Sequence, residues 1–178
     1  MMIVDRALEA RERAGNPIQT AVVGAGEMAK GIVNQLHRYT PGVRVAVVYN
    51  RTLDRAREAM TVAGIEAYRV VDTPAALEAA IRDGVPALTG DLDVLFGAES
   101  LDLLLESTGA VDFGARLVLR CADEGKHVLT FNAELDSTLG PLLAHRARRA
   151  GVKYSIAEGD QPGCTLNLYR EVAFRGFE

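Results

Sequence analysis

The sequence is poor in cysteine, has no long apolar run and carries no surplus of basic residues. Its two cysteines, Cys121 and Cys164, form no CxxC pair, so neither a disulfide framework nor a zinc site is indicated, and Cys121 is expected to be a buried helix residue. A transmembrane helix needs roughly 18 to 20 apolar residues, and Asp5 stands where a signal peptide would enter its apolar core, so we expect a cytoplasmic protein with no membrane partner. With 20 Lys and Arg against 24 Asp and Glu, the net charge of −4 argues against nucleic acid as a partner.

What the chain does have is an apolar fraction of 48% in 178 residues, which suits one compact domain. Its first segment, Val4 to Ala14, has the pattern of a short amphipathic helix, and Gly15-Asn16-Pro17 would end that helix. We therefore interpret residues 1–17 as a leading helix and linker and residues 18–178 as the domain itself. The helix could cap the domain or contact a second subunit in a homo-oligomer, and we favour the cap.

From Ile18 onward, apolar runs typical of strands alternate with segments of helical periodicity. The predicted strands span 18–23, 43–49, 101–106, 128–131 and 152–157, and the predicted helices span 28–39, 53–63, 113–124, 139–150 and a last segment from about Thr165. Asp72-Thr73-Pro74 predicts the start of another helix, whereas residues 85–100 have no readable pattern. Under the right-handed crossover rule this alternation predicts an α/β protein, a Rossmann-type doubly wound, mainly parallel sheet with helices on both faces.

A glycine-rich turn, Gly24-Ala25-Gly26-Glu27-Met28-Ala29, joins the first predicted strand to the next helix in a G-x-G-x-x-A pattern. Gly24 permits the tight turn, Gly26 lets a pyrophosphate approach the backbone, and Ala29 keeps the helix close to the sheet. Free amide groups and the positive end of the helix dipole would then hold the phosphates. A turn that only reverses the chain is the alternative, but the flanking strand and helix favour dinucleotide binding.

The end of the second strand distinguishes the two nicotinamide cofactors. An Asp or Glu at this position would bind the 2′-hydroxyl of NAD, but the sequence here is Asn50-Arg51-Thr52. Arg51 could hold a 2′-phosphate through charge-assisted hydrogen bonds, with Asn50 and Thr52 as neutral donors. We therefore predict NADP rather than NAD, the alternative being that Arg51 is an ordinary solvated charge.

Small residues, Ser107-Thr108-Gly109, follow the third strong strand at the sheet edge where ligands bind in open α/β folds. They would leave room for the ribose and pyrophosphate of the cofactor. A plain strand-to-helix turn is the alternative.

With these motifs, together with Gly125-Lys126-His127-Val128 and Gly159-Asp160-Gln161-Pro162-Gly163, the chain resembles the homoserine-dehydrogenase-like oxidoreductases. The resemblance is to the branch that carries a later SAF domain and includes the 1-deoxy-D-xylulose-5-phosphate reductoisomerase-like enzymes. It covers the chain from Ile18 onward, and Gly-Asp-Gln-Pro-Gly is its most specific part. Because members of the family are longer, the resemblance implies an amino-terminal cofactor domain that ends before a substrate domain. It also implies hydride transfer between NADPH and a carbonyl or alcohol of a small polar substrate.

The candidates for the substrate side are Asn132 and Asp160. Homoserine dehydrogenases resemble the chain up to Asn132 and continue with a lysine that serves the reaction, whereas Ala133 and Glu134 follow here, which argues against homoserine as the substrate. Asn132 could contact cofactor or substrate or only shape a turn, and Asp160 could transfer a proton or be an ordinary loop carboxylate. No metal-ligand spacing is present. An isolated dinucleotide-binding module or sensor without turnover is the alternative function.

Overall fold

A computed structural model describes residues 3–157 and 163–176, and in these ranges strands alternate with helices almost throughout. The strands are β1 (Ile18–Val23), β2 (Val43–Tyr49), β3 (Arg69–Val70), β4 (Ala87–Thr89), β5 (Leu103–Glu106), β6 (His127–Thr130) and β7 (Tyr154–Ile156). The helices are α1 (Ile3–Arg13), α2 (Glu27–Tyr39), α3 (Leu53–Ala63), α4 (Pro74–Arg82), α5 (Leu92–Phe96), α6 (Val111–Asp123), α7 (Ala133–Arg149) and α8 (Gly163–Phe174). None of the helices within these ranges has the length and apolar character needed to cross a lipid bilayer.

All seven strands form one parallel sheet in the order β3-β4-β2-β1-β5-β6-β7. The central strand is β1, where Val22 pairs with Val48 of β2 on one side and with Leu105 of β5 on the other. The strand order reverses between β1 and β5, the arrangement that opens a crevice at the carboxyl edge of a parallel sheet. The α/β, Rossmann-type prediction is confirmed.

Helices cover both faces of the sheet, and a separate apolar cluster lies under each layer. On one face, Val33 of α2 and Met60 of α3 pack against Val22 and Val48. On the other face, Leu77 of α4, Leu117 of α6 and Leu143 of α7 share a cluster with strand residues such as Leu104. Because the second half of β1 is buried on both sides, its last three residues, Ala21-Val22-Val23, are all apolar rather than alternating with polar residues.

Helix α1 contacts the turn that leads into β2. Gly42, with φ of +79°, donates its amide hydrogen to Glu12 Oε2 at 2.9 Å, and a side chain at this glycine would overlap the backbone of Leu8. Glu12 also pairs with Arg44 at the start of β2. These contacts place the leading helix against the amino-terminal edge of the sheet.

Element bounds differ from the sequence expectations mainly in α7, in β3 and in the region 85–100. Helix α7 begins at Ala133 instead of Leu139, because the Asn132 side chain accepts a hydrogen bond from the Leu135 amide at 3.0 Å and caps an earlier first turn. Strand β3 is only two exposed residues long and leaves no apolar pattern. Residues 85–100, which gave no pattern, contain β4 and the short helix α5.

Candidate functional site

The carboxyl ends of β1, β2 and β5 enclose a cleft of about 300 Å³ at the point where the strand order reverses. Three of the predicted motifs meet there: the glycine turn after β1, the Asn-Arg pair after β2 and the Ser-Thr pair after β5. The lining residues are Gly24, Ala25, Gly26, Tyr49, Asn50, Arg51, Arg55, Ser107, Thr108, Ala110 and Phe113. Among the other predicted cofactor residues, Glu27 and Met28 instead line an apolar groove of about 640 Å³ on the sheet face, and Ala29, Thr52 and Gly109 line neither.

The two glycines of the turn have different structural roles. Gly24 has φ of +114°, donates its amide hydrogen to Tyr49 O at 2.9 Å and lies so near β5 that a Cβ atom would be 3.1 Å from Ser107 Oγ. Gly26 has an ordinary φ of −78°, and a Cβ atom there would meet nothing within 4 Å. Gly26 is also the N-cap of α2 without a side-chain cap, so the first amides of this helix lie beside open space.

Two arginines follow β2, Arg51 two residues after the strand and Arg55 in the first turn of α3, and neither has an ion-pair partner within the described ranges. Arg51 and Arg55 are both exposed and both line the cleft. Asn50 donates from Nδ2 to the carbonyl of Thr52 at 2.8 Å, which fixes the turn that carries Arg51. Sequence analysis missed Arg55, although a second arginine in the first turn of the helix that follows the Arg51 turn was a usable signal.

One wall of the cleft is aromatic. The rings of Tyr49 and Phe113 lie nearly parallel, with an interplanar angle of 6° and centroids 6.4 Å apart. Burial raises the pKa of the Tyr49 phenol, and the neighbouring Arg51 partly opposes this rise. Sequence analysis missed this wall as well, because it joins the end of β2 to α6, which lie far apart in the chain.

A hydrogen-bond network connects the loop after β5 with the loop after β6. Glu106, the last residue of β5, is fully buried and accepts hydrogen bonds from the Thr108 amide at 2.8 Å and from the Thr130 hydroxyl at 2.7 Å. The Thr130 hydroxyl in turn accepts a hydrogen bond from the backbone amide of Asn132 at 3.0 Å. The network thereby connects Thr108, in the cleft, with Asn132 at the start of α7.

Asn132 has a buried donor without an acceptor in the described part of the chain. Asn132 is only 2% exposed. Its Oδ1 atom accepts the hydrogen bond that caps α7, so the nitrogen Nδ2 is the remaining end of the side-chain amide. Nδ2 has no hydrogen-bond partner among the described residues. Such an orphan donor is costly in a folded protein and is the kind of group that a bound ligand satisfies. Asp160, the other predicted substrate-side residue, lies outside the described residues.

The parallel sheet, the glycine turn at the strand-order reversal and the uncapped helix above it define a dinucleotide-binding α/β domain. The profile of the family described as homoserine dehydrogenase, NAD binding domain, matches residues 24–157. The chain belongs to this family, so it is a nicotinamide-dinucleotide-binding domain of oxidoreductase type. No curated protein matches the chain by sequence.

Several solved oxidoreductases share the fold. The WlbA dehydrogenase from Bordetella pertussis, solved with NADH and UDP-GlcNAcA, has a TM-score of 0.65 at 14% identity over 90% of this chain and 40% of its own. A homoserine dehydrogenase from Thiobacillus denitrificans has a TM-score of 0.60 at 22% identity, and the match covers 79% of this chain and 29% of the dehydrogenase. KijD10, a 3-ketoreductase from Actinomadura kijaniata solved with NADP, has a TM-score of 0.60 at 21% identity, and the match covers 88% of this chain and 44% of the ketoreductase. This chain therefore spans less than half the length of each of these structures.

Proposed function

We propose that the chain is the cofactor domain of an NADPH-dependent oxidoreductase. When bound, the cofactor supplies a hydride for transfer between its nicotinamide C4 and a carbonyl or alcohol of a small polar substrate. The observation that carries the preference for NADPH is the pair of arginines, Arg51 and Arg55, which have no ion-pair partner among the described residues and line a cleft whose described lining contains no Asp or Glu. The solved relatives bind NADH in one case and NADP in another, so the preference depends on these residues alone.

Each motif then has one part of the cofactor to hold. Arg51 and Arg55 bind the 2′-phosphate, since guanidinium groups match the geometry of phosphate oxygens. The amides of residues 24–29 and the amino end of α2 hold the pyrophosphate. Ser107 and Thr108 line the cleft and border the ribose that carries the nicotinamide, and Gly109 follows them in the same loop without lining the cleft.

Asn132 and Asp160 complete the proposal on the substrate side. The unpartnered Nδ2 of Asn132 gives this residue one donor to offer to the nicotinamide end of the cofactor or to a substrate oxygen. Asp160 follows β7 in sequence and would be the proton-transfer group. A small polar substrate is the matching class, because the groups proposed to meet it are an amide and a carboxylate.

Arginine replacement tests the cofactor preference. We expect Arg51→Ala and Arg55→Ala each to weaken NADPH binding by about tenfold to a hundredfold, because each removes charge-assisted hydrogen bonds to the phosphate. NADH binding should change little, since NADH lacks the phosphate. Fluorescence titration of both reduced cofactors gives the two dissociation constants.

Arg57→Ala is the matched control for this experiment. Arg57 lies on the same helix and pairs with Asp54 at 3.0 Å, but it does not line the cleft. Its replacement should leave both affinities unchanged. Equal losses of affinity for NADPH and NADH in the Arg51 variant would refute the binding of the 2′-phosphate by Arg51. A separate assay, consumption of NADPH with a panel of small keto acids and phosphosugars, would distinguish an enzyme from a binding module.

A further inference from the structure

A carboxylate without a cationic partner is buried beneath the cleft. Glu106 is 0% exposed, and in the described ranges no Lys, Arg or His forms an ion pair with it. Its partners are neutral: the amide and hydroxyl of Thr108 on Oε1, and the hydroxyl of Thr130 on Oε2. Burying a charge in this way is costly unless hydrogen bonds compensate for the lost water.

The hydrogen-bond pattern suits the ionised form of this side chain. The Thr108 hydroxyl accepts from the Ala110 amide at 3.3 Å, and the Thr130 hydroxyl accepts from the Asn132 amide at 3.0 Å. Each hydroxyl therefore has its own hydrogen free to point at Glu106. Together with the Thr108 backbone amide, three donors are directed at the two oxygens of Glu106, and a carboxylate without a proton offers only acceptors to them.

The position of Glu106 follows from the order of the strands. The proposed 2′-phosphate site is at the end of β2 and the pyrophosphate site is at the end of β1, its neighbour in the sheet. A dinucleotide that continues in the same direction along this edge brings its nicotinamide half to the ends of β5 and β6. Glu106 ends β5 and contacts Thr130 at the end of β6, so it lies under this half of the site.

We propose that Glu106 supplies a fixed negative charge that favours the oxidised cofactor, whose nicotinamide ring is positively charged, over the neutral reduced form. The inference rests on the proposed function, since it requires a nicotinamide cofactor in the cleft. A charge in a buried site is screened far less than a surface charge, and its donors already hold it in place before the ring becomes positive. Glu106 would thus set the redox balance of the bound cofactor as well as the position of Thr108.

Asp136 is a second carboxyl group near this site. Asp136, partly buried on α7, accepts a hydrogen bond from the Tyr154 hydroxyl at 2.9 Å. Burial, this hydrogen bond and the charges of Asp136 and Glu106 all raise the pKa of the Tyr154 phenol. The Glu106 charge therefore also acts on a group of β7, which lies two strands away in the sheet.

The test compares the oxidised and reduced forms of one cofactor in three variants. Glu106→Gln keeps the shape and removes the charge, Glu106→Asp keeps the charge and shortens the side chain, and Asp112→Asn removes an exposed charge at the amino end of α6. Calorimetry and fluorescence give the dissociation constants for NADP+ and NADPH, after circular dichroism has established that each variant is folded. We expect Glu106→Gln to weaken NADP+ relative to NADPH by about fivefold or more, with the ratio unchanged in Asp112→Asn.

Each outcome separates the inference from the proposed function. If the unmodified chain binds neither form, the proposed function fails. If it binds both and Glu106→Gln weakens them equally, Glu106 is only structural and the inference is overturned. If Glu106→Gln does not fold, the test uses Glu106→Asp. In this variant the ratio of the dissociation constants for NADP+ and NADPH must stay within about twofold of the original value even if both affinities fall. A change of this ratio by fivefold or more overturns the inference.

Discussion

Alanine at Gly24 and at Gly26 should separate the stability of the fold from the binding of the cofactor. The backbone at Gly24 has φ of +114°, a region that L side chains rarely adopt, and an added Cβ would be 3.1 Å from Ser107 Oγ and 3.2 Å from its carbonyl carbon and oxygen. At Gly26 the backbone is ordinary, and the added methyl group would extend into empty space above α2. The same chemical change therefore meets opposite surroundings two residues apart.

The two substitutions should have different effects on the stability of the fold and on the affinity for NADPH. Backbone strain and crowding at Gly24→Ala should cost about 2 to 3 kcal/mol, which lowers the melting temperature of a domain of this size by about 4 to 12 °C. For Gly26→Ala we expect a change within about 1 kcal/mol, because the N-cap preference for glycine is offset by the lower entropy of the unfolded chain. NADPH affinity should nevertheless fall by at least about tenfold, since the methyl group occupies the space through which a pyrophosphate reaches the amides.

Thermal unfolding by circular dichroism without cofactor and a fluorescence titration with NADPH measure the two quantities independently. Gly31→Ala is the matched control, because Gly31 lies further along α2 and a Cβ there also meets nothing within 4 Å. It should leave the affinity unchanged and raise the melting temperature slightly, because alanine is about 0.5 to 1 kcal/mol more favourable than glycine inside a helix. The reasoning is refuted if Gly26→Ala binds NADPH as tightly as the unmodified chain, or if it melts as low as Gly24→Ala.

Two further predictions concern buried groups. Cys164 should react quickly with a thiol reagent in the native protein, and Cys121 should react slowly. Cys121 is fully buried, and burial raises the pKa of its thiol to about 12, whereas Cys164 is exposed. Fast reaction of both thiols would contradict the packing of α6. Tyr154→Phe should lower the free energy of unfolding at neutral pH by about 1 kcal/mol in urea titrations, because it removes the hydrogen bond to Asp136. Since the raised pKa of Tyr154 makes the folded state hold the phenol proton more tightly than the unfolded state, native stability falls as pH rises above about 10. The phenylalanine variant should lose less stability over that range, and an unchanged alkaline profile would contradict the assignment.

The fold could be predicted from sequence wherever local pattern and burial agree. The bounds of β1, β2 and α3 match the expectation because β1 and β2 are covered on both faces and α3 ends at Gly64, which has φ of +73°. The predicted start of α7 at Leu139 is wrong, because Asn132 followed by Ala133 and Glu134 is a usable N-cap sequence that places the start six residues earlier, at Ala133.

The candidate site could be predicted only where its parts lie within one motif. The glycine turn and Arg51 were found because each has a fixed place relative to a strand end. The stacking of Tyr49 on Phe113 and the network around Glu106 depend on the order of strands in the sheet, which a linear pattern does not contain. Lys126 illustrates the same limit: its ammonium group is buried and donates to the carbonyl of Leu101 at 3.0 Å, a contact that no local pattern reveals.

The central place of β1 has a consequence for the chain as it leaves the ribosome. β1 is the first strand made, and β2 can pair with one of its edges early, but its other edge must wait for β5, about 80 residues later. At translation rates of about 5 to 20 residues per second, this edge stays without its partner for roughly 4 to 16 s. During that interval an apolar strand offers free backbone donors and acceptors to any other extended chain, so the nascent protein is most prone to aggregation before Glu106 has emerged.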